Sequence, residues 1–389
     1  MILFILKICA GILLGWMSQK FYPQGNDYWG LNDAGWKEYQ FMVHDPKGFF
    51  LDIFRSQYQN SYGGFFDSVN SYWNDLKNTL VGKLLAVLNI ISRGNYYINS
   101  LFLNFIGFFG HVALYRVFID VYKNKKWQVV AGCFLLPSAL YFSSGIHRDL
   151  LVFATLGIYC YIMYFSLKNG FSKKYVLLLL LSFFALVILR NFVAVALIPA
   201  TIALIISNRK NSRPMIIFTS TYITGILLLA VFQIVRPNFK PLNIITNKQE
   251  AFFELPFATS QIETRVLEPN LKSLLLNAPE ALNHSFLRPY LWERATNFLI
   301  PLAVELFIYH LLFFMMLIFF DKKSKRHSFV VFGLFFSFSL MLFTGYIVPN
   351  TGSIVRYRSI YLPFIITPIL CLIDWNKLAN RINIKIKNI

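Results

Sequence analysis

Apolar runs recur along almost the whole of this sequence, and each must be covered by lipid or by another apolar surface. The first, Met1 to Met17, is broken only by Lys7. From residue 96 the others follow at 96–120, 127–144, 149–167, 175–189, 191–207, 215–235, 298–320, 328–348 and 359–374. A membrane-spanning helix needs about 20 such residues, with about 17 as a lower limit. At 56% hydrophobic residues, a chain of 389 carries more apolar surface than one soluble core buries. The expected fold class is an all-α polytopic membrane protein with about ten transmembrane helices, residues 1–389 forming a single integral membrane domain.

Charge gives an orientation. The net charge of +19 is concentrated in short clusters at 123–126, 168–174, 209–213, 322–326 and 377–387. With ten spans all five fall on one side, which the positive-inside rule makes the cytoplasm. Both termini are then expected there, the first run serving as an uncleaved anchor. No basic groove or RNA-type motif accompanies the charge, so nucleic acid is not an expected partner. Cys9, Cys133, Cys160 and Cys371 all lie in apolar runs, which speaks against disulfides and thiolate metal sites.

The same topology places two large loops outside, 20–95 and 236–297. Within the first, 80–91 is too short for a span and is expected to lie as a helix at the membrane interface. An unbroken helix over 175–207 would be about 50 Å long against a hydrocarbon core of about 30 Å, so the chain must turn near Arg190. A similar turn is expected at 145–149.

The outward side carries the chemistry. Pro23 to Tyr39 sets Asp27 and Asp33 among glycines and aromatics just after the first run. Either carboxylate could act as general base or as a ligand for a divalent cation. The ordinary alternatives are turns at Asn26-Asp27 and Asn32-Asp33, and an N-cap role for Asp33 ahead of a helix over 34–39. Arg148, Arg190, Arg356 and Arg358 sit at outward span ends, the last two in a short segment 349–358 before the final span. They suit phosphate recognition; alternatively they snorkel to lipid or pair with neighbours such as Asp149. His147, Asp149 and Asp33 form a weak metal-ligand set. Glu305 and His310 lie inside an apolar run, where an ionisable group serves either function or helix packing. No P-loop, dinucleotide fingerprint or nucleophile elbow is present.

Asp33-Ala-Gly-Trp-Lys-Glu-Tyr39, Pro137-Ser-Ala-Leu-Tyr-Phe-Ser-Ser-Gly-Ile-His-Arg-Asp149, Leu189-Arg-Asn-Phe192, Leu287-Arg-Pro-Tyr-Leu-Trp-Glu293 and Asn350-Thr-Gly-Ser-Ile-Val-Arg-Tyr-Arg358 occur in the order and topology of a known group. The chain resembles the bacterial membrane glycosyltransferases of the GT-C superfamily, whose distant relatives include protein mannosyltransferases and lipid A sugar transferases. The resemblance implies transfer of a sugar from a polyprenyl-phosphate carrier to an envelope glycan, lipid or protein acceptor, on the outer face of the bacterial cytoplasmic membrane. It implies Asp33 or Asp27 as base or metal ligand, and Arg190, Arg148, Arg356 or Arg358 on the carrier phosphate. Trp29, Trp36, Tyr39, His147 and Arg288 are the expected substrate contacts. Asn32 replaces the first member of the acidic pair usual in that group, which leaves the metal requirement open. A polysaccharide polymerase or ligase using polyprenyl-linked oligosaccharides is the nearest alternative, and a lipid or glycan flippase without chemistry is the second.

Overall fold

The computed structural model describes residues 1–21, 26–54, 71–210, 213–235, 241–256, 259–293, 296–321 and 327–381. The basic clusters at 322–326 and 382–387 and the start of the Pro23–Tyr39 stretch lie outside them. In chain order the helices are α1 (Ile2–Phe21), α2 (Asp27–His44), α3 (Pro46–Leu51), α4 (Tyr72–Ser92), α5 (Tyr96–Val121), α6 (Lys126–Phe134), α7 (Pro137–Phe142), α8 (Arg148–Asn169) and α9 (Lys173–Leu189). They continue with α10 (Asn191–Lys210), α11 (Pro214–Val235), α12 (Asn243–Phe253), α13 (Leu271–Leu282), α14 (Leu299–Ile318), α15 (Ser328–Ile347), α16 (Thr351–Leu372) and α17 (Trp375–Arg381). Among the described residues there is no strand beyond two isolated bridges, Gln261 with Asn350 and Phe320 with Ile373.

Among the described residues eight helices are long and apolar enough to cross a membrane: α1, α5, α8, α10, α11, α14, α15 and α16. The run 127–144 is not one helix. It divides into α6 and α7, because Pro137 offers no N–H and restricts the residue before it. The run 175–189 falls within α9, which has 17 residues. The turns expected at 145–149 and Arg190 are both present as breaks, the first with Gly145 at φ +76°.

Two boundaries differ from the sequence reading. The helix containing Asp33 starts at Asp27, capped by the Asn26 side chain, which accepts from the amides of Tyr28 (3.1 Å) and Trp29 (3.4 Å). Asp33 is therefore neither an N-cap nor a turn residue. Likewise α16 starts at Thr351, because Asn350 caps it by accepting from the Ser353 amide at 3.0 Å. Arg356 and Arg358 thus lie in helix and not in a connecting segment. The interfacial piece 80–91 belongs to the longer helix α4, of 21 residues.

The chain forms two compact units, one of residues 1–114 and 139–194, the other of 115–138 and 195–389. In the first, α2 packs on α4 with Gly35 against Leu85. Lys83 of α4 is buried between Glu38 (3.0 Å) and Asp52 (3.7 Å), its amine 4.0 Å from the Phe49 ring centroid. Asn32 donates to the Gly94 carbonyl (2.9 Å) and accepts from Asn99 (3.0 Å), so the start of α5 is tied to α2 by buried amides. Helices α5 and α8 meet backbone to backbone, Gly110 against Ala154 and Gly157 against Gly110.

In the second unit α16 is the most enclosed of the eight long helices. Phe364 packs edge-on to Phe336 (5.6 Å), while Phe329, Phe332 and Phe336 stack along α15. Gly132 of α6 lies against Thr367, and Gly345 of α15 against the Ala281 carbonyl of α13. Gln249 crosslinks α12 to the 265–267 segment and the end of α15, donating to the carbonyls of Arg265 (2.9 Å) and Tyr346 (2.7 Å) and accepting from the Leu267 amide (2.9 Å).

Small residues let apolar helices approach closely where no hydrophobic driving force separates helix from lipid. A side chain at Gly157 would overlap the Gly110 carbonyl, whereas Gly225 has open space around it. Gly157→Leu is expected to cost about 1–3 kcal/mol by overpacking, seen as a lower Tm of the purified protein, with Gly225→Leu close to wild type.

Candidate functional site

The first unit gathers a polar corner at the break before α8. Lys7, fully buried in α1, donates to the Ser143 carbonyl and lies 3.2 Å from Ser143 Oγ, 3.3 Å from Ser144 Oγ and 3.3 Å from His111 Nε2. The Gly145 amide donates to Asn104 Oδ1 at 3.3 Å. These contacts fix the non-helical residues that set up α8. His147 caps that helix, with Nδ1 3.1 Å from the Asp149 amide and 3.0 Å from Asp149 Oδ2. A proton on Nδ1 serves the carboxylate; without one, Nδ1 accepts from the amide.

Asp149 is 1% exposed, and Arg190, in the break between α9 and α10, donates to its Oδ1 from Nε (3.0 Å) and Nη2 (2.6 Å). Arg148 donates to Asn78 Oδ1. The Tyr28 ring stands 5.0 Å from the His147 ring, so the first turn of α2, which carries the exposed Asp27, meets this corner. Of the expected site residues, Asp27, His147, Arg148 and Arg190 are thereby drawn towards one place. Asp33 is not among them: six residues further along α2 it stands about 9 Å on and a third of a turn round, and it is exposed. The carboxylates of Asp27 and Asp33 thus leave different faces of one helix.

The expected aromatic contacts have packing partners. Trp29 stacks on Tyr96 (4.3 Å, 16°) and donates to the Gly15 carbonyl (3.0 Å), joining α2 to α1 and α5. Trp36 stacks on Tyr39 (5.2 Å, 26°). Among the described residues no group of three or more His, Cys, Asp or Glu is placed to hold a metal ion; of His147, Asp149 and Asp33, only the first two come together.

The second unit contains an apolar cleft of about 500 Å³, lined mainly by α14, α15 and α16. It follows α16 from Arg358 to Leu372, about 21 Å at 1.5 Å per residue. Leu334 and Phe338 in its wall are 43% and 47% exposed, so the cleft is open along its side. Its polar lining residues are Tyr309, His310, Ser337 and Arg358.

Arg358 is 4% exposed. Its Nη2 donates to the Arg288 carbonyl at 2.8 Å, and its Nη1 has no hydrogen-bond partner. Glu305, 8% exposed, accepts from the Ser138 amide (3.0 Å) and hydroxyl (3.0 Å) and from the Tyr309 hydroxyl. It faces Arg358 across a void of about 10 Å³. The His310 Nε2–H donates to the Phe286 carbonyl at 3.1 Å. Glu305 and His310 thus serve packing, and Arg358 keeps unused donor capacity at the end of an apolar slot. Such a slot suits an amphiphile with an anionic head, because a guanidinium binds phosphate through paired, charge-assisted hydrogen bonds.

Arg288 sits beside this head end, with Nη1 3.5 Å from Glu293 Oε1 and its guanidinium 5.5 Å from the Tyr290 ring centroid. Arg356, six residues past the Asn350 cap of α16, is half-buried with its guanidinium 5.3 Å from the Tyr357 ring. The sequence reading passed over Lys7, whose signal was a lone charge in an apolar run. It passed over His284 as well, a buried residue in the π-turn at Asn283–Leu287.

Two outcomes follow from these contacts. Arg190→Ala leaves the Asp149 carboxylate buried without its cation and is expected to lower stability by about 3 kcal/mol, measured by chemical or thermal unfolding in detergent. His284 is held below its ordinary value of 6.5, first by burial and then by the Arg288 charge. The folded protein therefore binds this proton less readily than the unfolded chain, and stability should fall as pH drops below about 6.5. A Tm-against-pH series should be flatter in that range for His284→Gln. No family model matches this chain, and neither the curated proteins nor the solved structures contain a significant match to it.

Proposed function

We propose that the chain is a membrane glycosyltransferase that moves a sugar from a polyprenyl-phosphate carrier to an envelope glycan, lipid or protein acceptor. It works on the outer face of a bacterial cytoplasmic membrane. The observation that carries the reading is the laterally open apolar cleft ending at Arg358, whose Nη1 is buried and unpartnered. The isoprenoid chain lies in the cleft and the phosphate meets the guanidinium. In this reading ten crossings place the head end outward, α6 with α7 supplying one crossing and α9 another beside the eight long helices.

The chemistry follows from charge. As the glycosidic bond breaks, the leaving phosphate gains negative charge, so a preorganised arginine stabilises the transition state more than the ground state. Arg358 takes this role first, because Arg190 already commits one edge to Asp149. The acceptor hydroxyl loses a proton to a carboxylate, for which the resemblance to the GT-C group implies Asp27 or Asp33. Asp27 is favoured, since its helix turn adjoins His147. The resemblance to the GT-C group supports the same reaction class.

The test is a transfer assay with purified protein in lipid, offering polyprenyl-phosphate sugars and envelope acceptors. Arg358→Gln should lose about 100-fold or more in rate, and Asp27→Asn should fall further than Asp33→Asn. A ladder of oligosaccharide products would point to a polymerase. Movement of labelled lipid across the bilayer with no transfer would point to a flippase and sink the transferase reading.

A further inference from the structure

The segment that supplies the carbonyl for Arg358 carries an aromatic stack that no helix packing explains. Arg288, Tyr290 and Trp292 alternate along it. The Trp292 ring lies parallel to that of Tyr290, 5° apart in plane at 4.9 Å between centroids. Tyr290 is half-buried and fixed at both ends: its hydroxyl donates to Asn283, and its amide donates to Glu293 Oε2 at 3.2 Å. The Glu293 amide closes the turn by donating to the Tyr290 carbonyl at 3.0 Å. One face of Trp292 is thus braced, yet the residue remains 76% exposed. Arg288 and Glu293, paired at 3.5 Å, stand beside Tyr290, with the guanidinium 5.5 Å from its ring centroid, and Arg288 Nε is buried without a hydrogen-bond partner.

A tryptophan that only anchors a protein at a membrane surface needs no such bracing, because its ring is held by lipid. A rigid aromatic face presents a large contact area at little entropic cost, and a carboxylate with a guanidinium beside it matches the donors and acceptors of sugar hydroxyls. The Arg358–Arg288 bond of 2.8 Å joins this platform to the head end of the cleft. We infer that Trp292, braced by Tyr290 with Arg288 and Glu293 beside it, is the binding platform for the sugar carried on the lipid phosphate. The inference rests on the lipid-carrier reading above and assigns the donor's saccharide to a surface outside the cleft.

The experiment compares binding of farnesyl phosphate and of farnesyl phosphate bearing a hexose to the full-length protein in nanodiscs. Wild type should bind the sugar-bearing lipid about tenfold more tightly than the bare phosphate, a gain of the size an aromatic stacking contact gives. Trp292→Ala should abolish that gain while leaving affinity for bare farnesyl phosphate unchanged, and Trp292→Phe should keep most of it. Tyr290→Phe, which removes the bond to Asn283 but keeps the stack, should retain part. If Trp292→Ala weakens both ligands equally, or neither, the residue is a membrane anchor or a bystander and the inference is overturned while the carrier reading stands. If wild type binds neither lipid, the carrier reading fails and takes the platform with it.

Discussion

A polar group buried among apolar helices has no water to turn to, and this constraint orders the whole structure. Backbone groups meet it by forming helices, since each N–H then finds a carbonyl within its own segment. Where helices cross closely, glycines at 110, 157, 132 and 345 allow backbone contact that any larger residue would block. Where a helix must break, the freed groups are met by side chains: Asn26, His147 and Asn350 cap α2, α8 and α16.

Three enclosed basic side chains meet the same constraint differently. Lys7 is surrounded by neutral acceptors and holds the backbone of a break. Arg190 is neutralised by Asp149, which is itself held at the start of α8. Arg358 has one nitrogen on a carbonyl and another with none, although Glu305 is near enough to share a void with it. Glu305 is engaged instead by Ser138 and Tyr309, and that engagement leaves the guanidinium its capacity for an anion. A desolvated guanidinium with unmet hydrogen-bonding capacity is costly to keep, which makes Arg358 a candidate for a functional role.

Much of this was legible in the sequence, for reasons that differ by residue. Run lengths alone required breaks near 145–149 and at Arg190, because a continuous helix would overrun a bilayer. The arginines at span ends drew attention by their place in the charge pattern, and Arg190 and Arg358 are both held by specific contacts, to Asp149 and to the Arg288 carbonyl. The turn or N-cap alternatives for Asp33 do not hold, because the cap at Asn26 starts the helix earlier and leaves Asp33 inside it, on another face from Asp27. Trp36 and Tyr39 stack at the i,i+3 spacing of one helix, which the sequence encodes, whereas the stacking of Trp29 on Tyr96 joins two elements and could not be read from spacing.

What the sequence determined by itself was the class of the fold: apolar runs of span length separated by basic clusters leave few alternatives to a bundle of long apolar helices. The tertiary structure alone decided which charges meet. Asp149 and Arg190 are 41 residues apart and bonded, while Arg358 reaches across 70 residues to the Arg288 carbonyl. Periodicity reports the face of a helix and not the neighbour it finds there. Partner choice depends on close packing between elements distant in the chain, and the cleft is walled by residues of α14, α15 and α16 that only the fold brings together.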